Sequence, residues 1–178
     1  MSRRRIAIIS TGGTIEKTYD ELSGLLANHV SVLDVMLAGL MLEGVSIDRI
    51  ALMKKDSLEM DDADHDTIAA TAIEAAASHD GVIVVHGTDR LQFSGERTHA
   101  AGPPAAPVVF TGAMRPYELR DTDALQNLTE ALMAVQLLPA GVYAVMHNRV
   151  HRFPGVTKDR DRGTFTSGWS ARFRRRLQ

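Results

Sequence analysis

The chain of 178 residues is 44% hydrophobic and 24% charged, a size and balance that suit one soluble domain with a filled core and exclude both a long multidomain architecture and wholesale disorder. It contains no cysteine, so disulfide frameworks, thiolate metal sites and cysteine nucleophiles are unavailable, and the chemistry must come from oxygen and nitrogen side chains. The net charge is −2, but positive charge is concentrated at the ends, in Arg3, Arg4 and Arg5 and in Arg172, Arg174, Arg175 and Arg176, which leaves the stretch between them acidic. These runs read as solvated tails, because a nucleic-acid surface would place its charge on the folded body.

In chain order, residues 6–10 form a short apolar run that stops at Gly12 and Gly13, the pattern of a buried strand ending in a tight turn. The run is too short for a signal-peptide core or a membrane span, so a cytoplasmic location with no membrane partner is expected. Leu33, Leu37, Leu40 and Met41 give a helical stripe, and residues 45–53 a strand. A second stripe, Ile68, Ala72, Ile73 and Ala76, opens at Asp64. Residues 81–87 repeat the buried-strand pattern, residues 90–101 read as a less hydrophobic helix, and residues 107–112 form another strand behind a stiff proline-rich loop. Leu125, Leu128, Leu132 and Val135 make a third stripe, opened by Asp121 and closed before Gly141, and residues 142–146 are the last apolar strand. Met36, Met41 and Met53 fall on these patterns and read as core. Strands alternating with helices predict an α/β fold whose mainly parallel sheet is covered by helices on both faces. Ligands then gather beyond the carboxyl ends of the strands.

Those ends are polar. The first strand runs into Ser10-Thr-Gly-Gly-Thr-Ile15, whose glycines can present amide hydrogens around two hydroxyls, either to bind an anion or to hold a nucleophile beside an oxyanion hole. The glycine spacing is not that of a P-loop. Lys55-Asp-Ser-Leu-Glu-Met60, His86-Gly-Thr-Asp89, Gly112-Ala-Met-Arg-Pro116 and Val156-Thr-Lys158 complete the set of polar loops that a parallel sheet would bring together.

Taken in this order, TGGTI, a serine in the context DSLEM, HGTD, GAMRP and VTK resemble the L-asparaginase family over roughly residues 5 to 168. The resemblance implies an acyl transfer on a threonine with no metal and no cofactor. On matching positions, Thr14 resembles the nucleophile, which needs a general base within hydrogen-bond reach. Thr88, Asp89 and Lys158 resemble the second hydroxyl-carboxylate-amine group, which serves proton transfer and water attack. Ser57 and Asp89 resemble the clamp for the substrate carboxylate and amino group, Ala113 the residue whose carbonyl meets the amide nitrogen, and the Thr14 and Thr88 amides the oxyanion hole. Tyr19 stands for the lid tyrosine, although it is only five residues beyond Thr14. Leu58 sits where many relatives carry a polar residue, Glu59 replaces the usual aspartate, and Gln92-Phe93-Ser94 replaces a more acidic run.

Typical members carry a second domain, so the chain resembles short-chain bacterial L-asparaginases built of the first domain alone. The expected organisation is one Rossmann- or flavodoxin-like catalytic domain over residues 1–168, followed by a basic tail, 169–178. L-asparagine is the expected substrate, no nucleic-acid partner is expected, and the surface that relatives cover implies a homo-oligomer. Rival readings are a non-catalytic amino-acid-binding module and a glutaminase or amidotransferase subunit.

Two further patterns carry ordinary explanations. His147 and His151 are four apart but follow a strand pattern without a companion glutamate motif, which argues against zinc. His86 and the remaining histidines read as structural or surface groups. Asp61, Asp62, Asp64 and Asp66 suit a helix N-terminus, where acidic side chains are favoured by the dipole.

Overall fold

Ile6 to Ile9 are buried on both sides, as a strand in the middle of a two-faced sheet requires, and the structure is organised around them. The computed structural model describes residues 3–27 and 31–167. The four arginines of the C-terminal run and the boundary expected at 168/169 lie outside the described residues.

The elements are β1 (Arg4–Gly12), β2 (Thr18–Asp20), β3 (Leu25–Ala27), α1 (Leu33–Ala38), β4 (Val45–Lys55), α2 (Asp62–Ala76), β5 (Gly81–Val85), α3 (Leu91–Ala100), β6 (Pro107–Thr111), α4 (Ala124–Leu137), β7 (Gly141–Met146), β8 (Arg149–Arg152), β9 (Val156–Asp159) and β10 (Thr164–Ser167). The main sheet has the order β4-β1-β5-β6-β7-β8. Its first five strands are parallel and β8 is antiparallel to β7. The parallel strands therefore follow the doubly wound order of a flavodoxin-like fold, whose switch point lies at β1, between β4 and β5.

Two apolar layers confirm helices on both faces. One joins Ile68 and Ala72 of α2 and Leu91 of α3 to Phe110, Phe153 and Phe165; the other joins Leu33 and Met36 of α1 and Leu128 and Val135 of α4 to Ile6, Ile8 and Ile83. Each large side chain so buried contributes on the order of 1.5–3 kcal/mol. Gly95 of α3 lets the Phe153 ring approach so closely that an added Cβ would stand 2.0 Å from it. The same layer seats Val156 and Phe165, and Phe165 pairs with Lys158 across the β9–β10 ladder. The core therefore fixes where Lys158 stands.

Several local expectations need correction. The first helical stripe ends early: α1 stops at Ala38, capped by Gly39, and the chain turns toward β4, leaving Met41 90% exposed rather than in the core. Asp61, not Asp64, is the N-cap of α2, and Asp64 closes the capping box three residues on. Asp121 does not open α4; Asp123 precedes it, and Asp121 pairs with Arg115 instead. Leu125 of the third stripe is exposed. The β2–β3 hairpin, β8 and the β9–β10 hairpin have no comparable apolar run to announce them, being short and only partly apolar.

Candidate active site

The loops at the switch point pack through glycine. The Gly13 N–H donates to Lys55 O (3.1 Å), which ties the end of β1 to the end of β4. Gly13 has φ of 84°, and a Cβ on it would stand 2.5 Å from the Gly87 Cα and N. A Cβ on Gly87 would in turn stand 2.5 Å from Ser57 Oγ, and one on Gly112 would stand 2.3 Å from His86 O. The TGGTI, DSLEM, HGTD and GAMRP loops are thereby in direct contact. Lys158 of the VTK segment joins them through its own hydrogen bonds, so all five segments converge.

Thr14 begins a single 3-10 turn, Thr14–Glu16, and is partly buried. Ser57 is buried at the start of a similar turn, whose N-cap Asp56 accepts from the Leu58 N–H (3.0 Å) and from Lys17 Nζ (2.6 Å). Burial raises the Asp56 pKa, but these bonds outweigh it and hold the carboxyl below its usual range. Among the described residues neither Thr14 Oγ1 nor Ser57 Oγ has a hydrogen-bond partner.

Lys158 Nζ donates to Thr88 Oγ1 (2.8 Å) and to Asp89 Oδ1 (3.0 Å). The Thr88 hydroxyl donates onward to Met114 Sδ (3.6 Å), and Arg160 reaches the same Asp89 oxygen (3.1 Å). As an ammonium, Lys158 can only donate, so it must release a proton before it can take the one on Thr88.

Behind this group lies a directed chain. His86 Nδ1 contacts Gly87 O (2.8 Å), His86 Nε2 contacts Ser94 Oγ (2.8 Å), and Ser94 Oγ contacts His65 Nδ1 (2.7 Å). A carbonyl only accepts, so His86 carries its proton on Nδ1; the bare Nε2 then accepts from Ser94, and His65 donates to Ser94. Burial pushes the His86 pKa down to about 4, against a smaller raising effect of the Gly87 bond. His86 is structural here, in keeping with its apolar setting in the sequence.

Asp123 organises the GAMRP loop. It accepts from the Met114 N–H (3.0 Å) and the Arg115 N–H (3.0 Å), from Asn127 Nδ2 (2.9 Å) and from His147 Nε2 (2.7 Å). Ala113 is buried within that loop. Tyr19 lies on β2 with 60% of its surface exposed; its N–H donates to Glu118 (2.7 Å), and no hydrogen bond links its hydroxyl to Thr14. Leu58 (54% exposed) and Glu59 lie at the open side of the Ser57 turn. Asp123 and Arg160 are site residues that lie outside the sequence motifs, while Met114 lies within GAMRP but has no role assigned to it there. Of the first two, only Asp123, next to a helix start, carries a signal in the sequence, and the pattern assigns that start to Asp121 instead.

The acidic run is used as the dipole argument expects: Asp61 and Asp64 cap α2, Lys55 pairs with Asp64, and Arg97 pairs with Asp62 and Asp66. His147 and Asn148 both have positive φ and form the tight turn between β7 and β8, while His151 is buried beside Ser167 Oγ (3.3 Å). Among the described residues no helix is long and apolar enough to cross a membrane.

The fold and the site define an α/β protein with hydroxyl, amine and carboxylate groups gathered at the switch point of its sheet. The chain matches the family described as "Asparaginase, N-terminal" over residues 5–169 and belongs to it. It is 35% identical to a glutamyl-tRNA(Gln) amidotransferase subunit of Haloquadratum walsbyi over 80% of this chain and 33% of that one. It is 31% identical to the L-asparaginase of Thermococcus kodakarensis over 86% and 47%. The solved structure of the thermostable T. kodakarensis L-asparaginase superposes with a TM-score of 0.81 at 28% identity, covering 92% of this chain and 51% of that one. A probable cytoplasmic L-asparaginase from Campylobacter jejuni gives 0.78 at 26% identity, with 93% and 52% covered. The chain thus spans between a third and a half of these relatives' lengths.

Proposed function

We propose that the protein is an amidohydrolase that releases ammonia from L-asparagine through an acyl-enzyme on Thr14. The observation that carries this reading is the Lys158–Thr88–Asp89 group on a loop that touches the Thr14 loop through Gly13 and Gly87. Thr14 Oγ1 attacks the side-chain amide carbon while its proton passes to the amide nitrogen, the oxyanion is met by the Thr14 and Thr88 N–H groups, and the C–N bond breaks to release ammonia and leave the ester on Thr14. Water then attacks the ester: one of its protons is relayed through the Thr88 hydroxyl, which Lys158 holds, to Thr14 Oγ1 as the ester C–O bond breaks, freeing aspartate and restoring Thr14. Ser57 and Asp89 hold the substrate carboxylate and ammonium, with Asp89 presenting charge to the ammonium. No residue of this scheme needs a metal or cofactor. Tyr19 belongs to it only if the β2–β3 hairpin closes over Thr14. Self-association and a cytoplasmic location go with the same reading, and light scattering tests the first.

A second reading is favoured by the relatives that carry the name of a glutamyl-tRNA(Gln) amidotransferase subunit: the same chemistry would supply ammonia within a larger assembly. An assay of the purified protein alone decides between them. Ammonia released from free asparagine supports the hydrolase; ammonia release that appears only with a partner protein supports the amidotransferase; asparagine bound but left intact points to a binding module.

A further inference from the structure

The GAMRP loop lies against Thr88 on both sides of Ala113: a Cβ on Gly112 would stand 3.2 Å from Thr88 Cγ2, and Met114 Sδ is 3.6 Å from Thr88 Oγ1. Ala113 is followed by Met114, and the Ala113 carbonyl belongs to the same peptide unit as the Met114 N–H. That N–H is held by both oxygens of Asp123, at 3.1 and 3.0 Å. The next N–H, of Arg115, goes to Asp123 Oδ1 (3.0 Å). On the other side, Asn127 Nδ2 donates to Gly112 O (2.9 Å) and to Asp123 Oδ2 (2.9 Å). The Ala113 peptide is therefore flanked by three held groups.

We propose that Asp123 is a positioning residue that aims the Ala113 carbonyl at the leaving nitrogen of the substrate amide, with His147 and Asn127 holding Asp123 in place. A trans peptide is planar, with C=O and N–H pointing in opposite directions, so fixing the Met114 N–H fixes the line of the Ala113 C=O. No hydrogen bond among the described residues uses that carbonyl. His147 Nε2 stands 2.7 Å from Asp123 Oδ2, and the His147 N–H donates to Asn127 Oδ1 (3.1 Å), so the β7–β8 turn closes the network. Asp123 is ionised within it: burial raises its pKa, but the Met114, His147 and Arg115 bonds outweigh that and hold the carboxyl below its usual range.

The inference rests on the amidohydrolase reading, and its test exploits a difference in substrates. An amide presents N–H to the Ala113 carbonyl, whereas the β-methyl ester of aspartate does not. We expect Asp123→Ala to lower kcat for asparagine by on the order of 10²-fold, the scale of a small misplacement of a reacting group, with KM changed by less than about threefold. Hydrolysis of the β-methyl ester, followed by methanol release, should fall by less than about fivefold. Asp123→Asn, which keeps an acceptor for the Met114 N–H, should recover much of the amide rate. His147→Asn keeps a residue suited to positive φ while removing the imidazole, and should cost the amide rate a few-fold and the ester rate nothing.

Equal loss of amide and ester hydrolysis in a folded Asp123→Ala protein would overturn the inference, as would an unchanged amide rate. If Asp123→Ala does not fold, His147→Asn decides by the same comparison. Should the unaltered protein hydrolyse the ester but no amide, the carbonyl has no leaving nitrogen to meet and the inference falls. Should it hydrolyse neither, the amidohydrolase reading fails first and takes the inference with it.

Discussion

Gly13 and Gly87 meet backbone to backbone, so closely that a Cβ on Gly13 would stand 2.5 Å from the Gly87 Cα. Each is followed by a threonine whose N–H makes no backbone hydrogen bond among the described residues. The contact places two candidate oxyanion donors beside each other without using a side chain. Gly13 also has φ of 84°, which an alanine adopts only with strain. Gly13→Ala should therefore lose nearly all activity and about 1–3 kcal/mol of stability. Urea denaturation alongside the ammonia assay checks both, and an active, equally stable Gly13→Ala protein would show that the loops are not locked together.

Thr14→Ala should leave thermal unfolding unchanged, because the hydroxyl has no partner within the described residues and the side chain is only partly buried. Activity should fall by on the order of 10³-fold or more, as when the nucleophile of other acyl-transfer sites is removed. Near-normal ammonia release from this variant would end the acyl-enzyme scheme.

Thr88→Val and Lys158→Met remove the two ends of one 2.8 Å hydrogen bond. Each should cripple turnover while changing KM less, and the double variant should be hardly worse than either single one, because groups that act as a unit are not additive. Losses that multiply would mean that the two residues act separately.

The parallel strands, the helices on both faces and the convergence of the loops are legible in the sequence because β1, β5, β6 and β7 carry continuous apolar runs that end in glycine or a polar turn; only β4, with Ser46, Asp48 and Arg49 inside it, departs from that pattern. The positions of Thr14, Ser57 and Thr88 follow from those turns, whereas Lys158 lies on β9, in a hairpin that no apolar run announces. What escapes a reading of the sequence are features set by tertiary contact. Whether Met41 is core depends on where α1 stops, and a stripe does not mark that. Asp123 binds amides of a loop that precedes it in the chain, and Arg160 reaches Asp89 only because the β9–β10 hairpin packs against α3. The hairpins themselves have too few apolar residues to stand out.

Stability should depend on pH through His86. Its pKa is pushed down to about 4 by burial from 6.5, so between these values the unfolded chain binds a proton that the folded protein refuses. The stabilisation is complete above pH 6.5 and is lost as pH falls toward 4, by about 3 kcal/mol in all and about 2 kcal/mol between roughly pH 7 and pH 5. Burial lowers the pKa of His65 and His151 as well, which adds to the trend. The urea midpoint should drop over this range in the unaltered protein and drop less in His86→Asn. An equal drop in both would assign the effect to other groups.

The choice between asparagine and glutamine turns on one methylene. A fit of shape alone is worth about 1 to 3 kcal/mol, so a larger preference needs a polar contact that only one substrate makes. Beside Ser57 stands Leu58, 54% exposed, on the open side of the turn that carries the proposed carboxylate contact. It offers no side-chain hydrogen bond to seat a longer substrate. Its exposure means that a polar side chain can replace it without leaving an unpartnered group in the core, so Leu58→Gln should fold normally. We expect the unaltered protein to prefer asparagine clearly, and Leu58→Gln to raise kcat/KM for glutamine relative to asparagine. Steady-state kinetics on the two amides measure both. Comparable kcat/KM values for the two in the unaltered protein would show that selectivity is set elsewhere.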